Sequence, residues 1–366
     1  MKVALVHDWL IHMRGGEKVL ESIAELYPDA VIYTLFYRRE ALSPALAKMK
    51  IKASFLQWFP GITRIYRGLL PLLPLVIATL KFDDRPDLVI SSSHCVAKGI
   101  RIPRGAVHVC YCHTPMRYAW GFEKEYFGKF PTWFQPLIRL ILGWLRSWDH
   151  ASSRHVGHFI ANSKNVQEKI RKYYGRESSV LCPPLDKEFF RPAGSRRDYF
   201  LVVSAFVPYK RVDLVIETFN GMDRELRIVG SGPLGNTYRK LAKGQNISFL
   251  GSASPERLRE LYAGARALIF PTDEDFGIVP LEAQACGTPV IALARGGALE
   301  SVQYGVFFHA QSVTALRDAI EKFETMTWDH DRIAQSVANF DKNIFQSEIK
   351  KAISSSLIQD ARHVAC

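Results

Sequence analysis

One stretch constrains the fold of this chain more than any other. It is Glu274-Asp275-Phe276-Gly277-Ile278-Val279-Pro280-Leu281-Glu282, continued by Ala283-Gln284-Ala285-Cys286-Gly287-Thr288-Pro289-Val290-Ile291-Ala292. The apolar run 267–271 before it reads as a buried strand. A polar loop follows, then a helix from about Pro280 to Cys286, a Gly-Thr-Pro turn and a second apolar strand. Strand, helix and strand at that spacing make a βαβ unit, which belongs to a parallel sheet. The two glutamates then stand at the carboxyl end of one strand and on the helix after it. Ligands of open α/β sheets bind at that edge, where carboxylates accept hydrogen bonds from sugar or ribose hydroxyls. Taken singly, Glu274 and Asp275 read equally well as solvated loop acids, and Glu282 as a helix cap.

The same alternation runs through the chain twice. In the first half, strands are expected at 3–7, 30–34, 88–92, 106–113 and 158–162. Gly15-Gly16-Glu17 opens a helix, and Ser163 is placed to cap another that reaches Tyr174. Val180-Leu181-Cys182-Pro183-Pro184 reads as a link, because consecutive prolines end regular structure. The second half restarts with strands at 199–204, 225–230, 247–250, 267–271 and 290–292. A chain of 366 residues is too long for one ordinary core and suits two domains. The expected class is α/β, with Rossmann-like domains over 1–184 and 185–342 facing a central cleft.

Composition excludes several classes. No apolar run reaches 18 residues, so no transmembrane helix is expected. The first residues read as a strand and lack a signal peptide's apolar core. Six cysteines are scattered without a C-x-x-C pair, which suits reduced thiols in a cytoplasmic protein. Cys110 and Cys112 beside His113 make only a weak metal site. Charge is one-sided. Residues 1–180 carry 26 Lys+Arg against 14 Asp+Glu, which equals the whole chain's excess of +12. Such a field suits an anionic partner such as membrane lipid, nucleic acid or a phosphorylated substrate.

Several loops carry chemistry at strand ends. Lys210 lies in Val207-Pro208-Tyr209-Lys210-Arg211, between a strand and a helix, where a lysine reaches phosphate as a mobile charge. Gly15 and Gly16 permit close backbone approach to an anion at a helix start. His113 ends a strand in Tyr111-Cys112-His113-Thr114-Pro115, and His94 is a second, weaker histidine. Gly230-Ser231-Gly232-Pro233 follows another strand.

Together these motifs resemble those of the retaining GT-B glycosyltransferases of the GT4 type, over nearly the whole length. The run from Glu274 to Glu282 looks like that family's E-x7-E element. Within the family the chain looks most like bacterial mannosyltransferase-like enzymes of surface polysaccharide synthesis, including lipopolysaccharide. The resemblance implies a GT-B fold whose terminal helix, about 343–358, packs back on the first domain. It implies a metal-independent enzyme with no cofactor, although Asp273-Glu274-Asp275 and Asp329-His330-Asp331 are literal D-x-D triplets. His113, Lys210 and Glu274 would serve the reacting sugar and the departing diphosphate. Gly15, Gly16, Arg211, Gly230, Gly232, Phe276, Gly277, Ile278 and Glu282 would bind the donor, with Glu282 on the ribose. One departure stands out. The family pattern has an arginine five residues before the lysine, and this chain has Ala205. Arg295-Gly296-Gly297-Ala298 resembles a further family loop, to which no role is given.

Two segments bear on the basic half. Arg64-Ile65-Tyr66-Arg67 leads into a very apolar run, and positions 133, 137, 140, 141, 144 and 148 make a helical stripe. Arg64, Arg67, Trp133, Arg139, Trp144 and Arg146 are therefore candidates for contact with an anionic membrane surface; a core helix is the competing reading. The expected function is transfer of a hexose, mannose from GDP-mannose or another sugar from its nucleotide diphosphate, to a lipid-linked saccharide acceptor. The protein would be peripheral on the inner face of the cell membrane and would not bind nucleic acid. A sugar-nucleotide epimerase or hydrolase, and a nucleotide-sugar-binding partner of a membrane assembly, are the alternatives.

Overall fold

In the computed structural model the chain forms two compact units, residues 1–184 with 343–366 and residues 185–342. The structure describes every residue except 122, 124–126, 129, 195–197 and 365–366, with 359–364 in backbone only. Cys366 lies outside the described residues.

The first unit is built on a parallel sheet of β1 (Val3–His7), β2 (Val31–Thr34), β3 (Ile51–Ala53), β4 (Leu88–Ser93), β5 (Val107–Cys112), β6 (His158–Ala161) and β7 (Ser178–Val180). Their order is β3-β2-β1-β4-β5-β6-β7. The winding reverses between β1 and β4, where His7 pairs with Ser92. That reversal opens a crevice at the strands' carboxyl ends. Alternation along β1 feeds two cores, as the pleat requires. Ala4 and Val6 pack with Leu73, Ile77, Ile138 and Leu142. Leu5 packs with Val19, Leu20 and Ile23 of the helix Gly15–Ala24. The second of these cores also takes Phe345, Ile349 and Ile353 from the last helix, Lys342–Val364. Gln346 of that helix donates through Nε2 to the Ser22 carbonyl at 3.0 Å.

β3 and β7 escaped the sequence reading. Both are three-residue edge strands. Ser178-Ser179-Val180 has no apolar run, and its last residue is where the link was expected to begin. Ser163 caps its helix as expected, its hydroxyl accepting from the Val166 amide at 3.0 Å.

The second unit repeats the winding with β8 (Tyr199–Val203), β9 (Glu225–Val229), β10 (Ile247–Gly251), β11 (Ala267–Phe270), β12 (Val290–Leu293) and β13 (Gly305–Phe308), in the order β10-β9-β8-β11-β12-β13. Here the reversal falls between β8 and β11. Phe200, Val202, Ile228, Ile269 and Ile291 form its core with Val212, Val215 and Phe219 of the helix Val212–Phe219. Both units are thus Rossmann-like. After β9 the next helix starts at Gly235. Gly230 has φ 143° and sits so close to β8 that a Cβ would lie 1.8 Å from the Ser204 carbonyl oxygen. A glycine is required there, and the chain cannot turn helical until it has cleared that contact.

Candidate functional site

Within the second unit, the expected groups gather where the winding reverses. Lys210 closes a short 3-10 turn, Pro208–Lys210, after β8. Glu274 lies in the loop after β11, the neighbouring strand. The two side chains form an ion pair, each only 17 % exposed. Glu282 is carried by the helix Ile278–Ala285, which begins two residues before the expected start. Pro280 falls in the first turn, which tolerates it. Glu282 is buried, and its Oε2 accepts from the hydroxyl of fully buried Tyr262 at 3.0 Å. Phe276 is buried, its ring centroid 6.0 Å from that of Phe340. Gly277 precedes the first residue of the helix, Ile278.

The loop 273–277 is held from both sides. On one side Thr272 donates through its hydroxyl to the Lys210 carbonyl at 3.2 Å. Gln311 donates through Nε2 to the Pro271 carbonyl at 2.9 Å and accepts from Arg211 at 3.2 Å. On the other side the Gly297 amide donates to the Glu274 carbonyl at 2.8 Å. A Cβ on Gly297 would fall 2.1 Å from the Phe276 Cα. The Arg295-Gly296-Gly297 loop, which sequence left without a role, is therefore the brace of the acidic loop. Its glycine pair after a strand was the available signal. Tyr262, Thr272 and Gln311 carry no local signal at all.

Arg211, expected to bind the donor, makes two side-chain contacts within its unit. Its guanidinium lies 3.3 Å from the Asp213 carboxylate and 3.2 Å from Gln311. It is also the one non-glycine residue with positive φ, at 51°, among the described residues. A left-handed residue of this type costs about 1–2 kcal/mol, which its side-chain contacts help offset. Gly232 packs on the backbone of Phe206, its Cβ position 2.7 Å from that carbonyl oxygen. Gly230 and Gly232 thus both serve the packing of the 230–233 loop on the end of β8.

In the first unit, the reversal between β1 and β4 gathers histidines. His7, His94 and His113 have ring centroids 5.9 to 6.5 Å apart. The Ser92 hydroxyl bridges His7 Nδ1 at 3.1 Å and His113 Nε2 at 2.8 Å. Gly16, in the first turn of its helix, faces the same rings, and a Cβ there would stand 3.6 Å from both His113 Nε2 and His7 Cε1. Gly15 is the first residue of that helix. Asp8, fully buried, accepts from the amides of His94, Cys95, Val96 and Ala97 at 2.6–3.1 Å. It also lies 3.0 Å from His94 Nδ1. It shapes the turn after β4. Burial holds His7 and His94 neutral, lowering each pKa to about 3. Burial raises Glu17, in the first turn of the same helix, to about 7. Asp8, Glu17 and Ser92 were not singled out from sequence.

The basic half exposes apolar side chains. The helix Gln135–Ser153 buries Ile138, Leu142 and Leu145. Its opposite face shows Leu137, Leu140 and Trp144, and Trp133 precedes it at 77 % exposure. The stripe read as one in sequence is therefore divided: 133, 137, 140 and 144 point outward, while Ile141 and Trp148 pack on the core. Phe55, Trp58, Phe59, Ile65, Leu72 and Leu75 are exposed as well. Arg64, Arg67 and Arg139 are exposed. Arg146 is not part of that outer face. Its Nε donates to the Ala119 carbonyl at 2.8 Å, and its guanidinium pairs with Glu123. No helix among the described residues is long and apolar enough to cross a membrane.

Comparison with known proteins bears on both units. Residues 13–189 match the family model described as Glycosyltransferase Family 4, and residues 185–340 match Glycosyl transferases group 1. The O-antigen chain mannosyltransferase RfbU of Salmonella typhimurium is 27 % identical over 217 residues, 52 % of this chain and 60 % of that protein. A GDP-mannose-dependent alpha-(1-6)-phosphatidylinositol monomannoside mannosyltransferase of Mycobacterium tuberculosis is 29 % identical over 229 residues, 49 % of this chain and 60 % of that one. The D-inositol 3-phosphate glycosyltransferase of Nocardiopsis dassonvillei is 30 % identical over 42 % of this chain and 43 % of its own. The chain thus spans about half the length of the curated relatives it matches. In fold it is similar to Anabaena HepE, solved with UDP and glucose, at TM-score 0.66 and 20 % identity over 97 % of this chain and all of that one. Sucrose-phosphate synthase of Thermosynechococcus elongatus gives TM-score 0.73 at 16 % identity, over 97 % of this chain and 99 % of that one.

Proposed function

We propose, for a chain that belongs to the GT4-type glycosyltransferases of GT-B fold, that it moves mannose from GDP-mannose to a lipid-linked saccharide, with retention of anomeric configuration and without a metal ion. One observation carries the transfer reading. Lys210 and Glu274, far apart in sequence, meet at the switch point of the second unit, and the helix that follows Glu274 carries the buried Glu282. A cation for phosphate and carboxylates for hydroxyls, at the crevice of such a sheet, is what a nucleotide-diphosphate sugar needs. Lys210 stabilises charge on the departing diphosphate, and the preorganised amides at the start of the helix Ile278–Ala285 add to it. Positive charge from these groups stands where a divalent cation would otherwise serve. The bond from the anomeric carbon to the diphosphate breaks, and the acceptor oxygen bonds the same face. The acceptor's proton leaves with the nucleoside diphosphate. Glu274 holds sugar hydroxyls and forms no covalent intermediate.

Mannose as the sugar is supported by the two mannosyltransferases among the relatives. Membrane contact on the cytoplasmic face is supported by the exposed apolar residues beside Arg64, Arg67 and Arg139. The stretch between Glu40 and Asp83 contains no acid, so it suits anionic headgroups. The test is to incubate the purified chain and membrane lipid with a panel of nucleotide sugars, with and without chelator. Release of nucleoside diphosphate and glycosylation of lipid are followed by mass spectrometry. Chelator-resistant, lipid-dependent transfer from GDP-mannose is the expected result. Free sugar or an epimer, formed without dependence on acceptor, would replace transfer with hydrolysis or epimerisation.

A further inference from the structure

Three acid-free segments of the first unit bring their cations together. Residues 9–16, 30–39 and 41–82 contain no Asp or Glu. The chain leaving β1 stays beside the chain leaving β2. Leu10 bridges Tyr37, the Leu10 amide donates to the Phe36 carbonyl at 3.0 Å, and the Arg38 amide donates to the Leu10 carbonyl at 2.8 Å. Arg38 and His12 therefore leave that bridge on adjacent chains. Two residues after His12, Arg14 precedes the helix Gly15–Ala24. The third segment is anchored by buried Tyr66, whose ring centroid is 4.9 Å from that of Trp9 and 5.5 Å from that of Phe36. Arg67 comes next, its guanidinium 5.6 Å from the Tyr66 ring centroid. His12, Arg14, Arg38 and Arg67 are all exposed.

These groups are close enough to act on one another. Burial lowers the pKa of His12, and the charges of Arg14, Arg38 and Arg67 lower it further. Glu17 stands beside Arg14 and accepts from its amide at 3.1 Å, but burial raises this carboxyl to about 7. Like charges gathered from separate segments repel, and an anion between them relieves the repulsion. Guanidinium forks suit phosphate oxygens in particular. The cluster also has a definite place in the unit. On one side lies the crevice, where Gly16 faces the His7 and His113 rings. On the other, Arg67 shares its short segment with exposed Arg64 and Ile65, part of the basic and apolar surface. A lipid-linked saccharide has one kind of group at the joint between its apolar and its sugar parts, and that group is phosphate.

We propose that His12, Arg14, Arg38 and Arg67 form a binding site for the diphosphate of a lipid-linked saccharide, holding the acceptor by the charged joint between its lipid and its sugars. A bulk phospholipid headgroup offers a phosphodiester instead, with less charge to set against the cluster. The inference rests on the reading of the acceptor as lipid-linked, but its first test needs no transfer.

That test follows His12 in the full chain by 15N–1H correlation spectroscopy of labelled histidine. His12→Asn assigns the ring, and inorganic diphosphate is the probe. Diphosphate is expected to raise the titration midpoint of His12 by about one pH unit, reversing the push of the arginines. Arg38→Gln and Arg14→Gln, both at exposed positions, should each weaken that binding about tenfold, the loss of one charge-assisted hydrogen bond. Lys210→Ala, which removes the cation expected to meet the donor's phosphates, should leave the His12 response unchanged. A His12 that ignores diphosphate, or binding of equal strength in Arg38→Gln, overturns the proposal. So does a His12 that responds to phosphatidylglycerol vesicles and not to diphosphate, which gives the cluster to the bilayer. Where transfer to a diphosphate-linked acceptor is measurable, Arg38→Gln raises KM for that acceptor about tenfold and keeps KM for the donor within about twofold. A rise confined to the donor overturns the acceptor role. A wild-type chain that binds diphosphate at His12 but transfers no sugar upholds the site and counts against the enzymatic reading alone.

Discussion

Lys210 and Glu274 form an ion pair across the switch point of the second unit, on side chains that are mostly buried. Each is therefore the other's partner until a ligand intervenes. A donor diphosphate and its sugar would take over the two groups separately, one as cation and one as acceptor. Lys210→Ala and Glu274→Ala should each reduce transfer by about a hundredfold or more, the scale of losing a preorganised charge at a reacting group. The fold should survive, at a cost of about 1 kcal/mol for a pair that solvent still reaches. Urea unfolding beside an assay of released nucleoside diphosphate checks both. Full activity in both variants would sink the site assignment.

Tyr262→Phe isolates the buried hydroxyl that holds Glu282 Oε2. Removing it leaves a carboxylate oxygen short of a donor and costs about 1–3 kcal/mol of stability. If Glu282 binds ribose, KM for the donor rises about tenfold while kcat moves little. Initial rates over a range of donor concentration separate the two. An unchanged KM would place the ribose elsewhere.

Ala205 stands where an arginine is expected, and the Arg211 guanidinium lies against Asp213 and Gln311. Ala205→Arg should therefore raise kcat, by about tenfold for one added charge-assisted hydrogen bond of about 1.5 kcal/mol. A variant that folds and is no faster would mean that Lys210 is sufficient by itself.

The outward residues Trp133, Leu140 and Trp144 are 77, 72 and 41 % exposed. Replacing all three with serine should leave the unfolding midpoint unchanged within error. Co-sedimentation with vesicles containing phosphatidylglycerol should fall sharply, and wild-type binding should weaken as salt screens Arg64, Arg67 and Arg139. Equal binding of the triple variant would remove this face from the membrane reading.

Acid should destabilise the first unit. His7 and His94 are pushed down to about 3 and His108 to about 4, all by burial. The unfolded chain takes up protons near pH 6.5 while the folded one does not, so stability present above pH 6.5 is lost as pH falls towards 3. By pH 5 each such histidine costs about 2 kcal/mol. Glu17, raised to about 7 by burial, acts in the opposite sense: it weakens the fold as pH rises from 4.5 to 7. With three imidazoles against one carboxyl, the urea midpoint should fall between pH 6.5 and 5. Tryptophan fluorescence follows it well, since Trp328 alone of the seven tryptophans lies in the second unit.

Sequence made the two windings legible because buried parallel strands are continuous apolar runs, as in Leu88-Val89-Ile90 and Ala267-Leu268-Ile269-Phe270. Three of the four edge strands, Ile51–Ala53, Ser178–Val180 and Gly305–Phe308, went unread, while the fourth, Ile247–Gly251, was read. Lys210, Glu274 and Glu282 were legible because they sit in recognisable loops beside strand ends. Their supports were not. Tyr262 and Gln311 reach the acidic element through space from separate helices and loops, and no local pattern marks them. The same holds for Ser92, which reads as one of three serines ending a strand and differs from its neighbours only by pointing at two imidazoles. The outward stripe was half legible: spacing found a helix face, but only packing could divide Leu140 from Ile141.

The last helix brings Phe345, Ile349 and Ile353 into a core otherwise made by residues from the first hundred and eighty. Its consequence concerns time on the ribosome. The unit begun first cannot be finished until the helix Lys342–Val364 has emerged, whereas residues 185–342 can close around Phe200 and Val215 beforehand. Order of synthesis and order of completion are therefore reversed, and the β1 neighbourhood must wait, partly uncovered, for a segment made more than three hundred residues later.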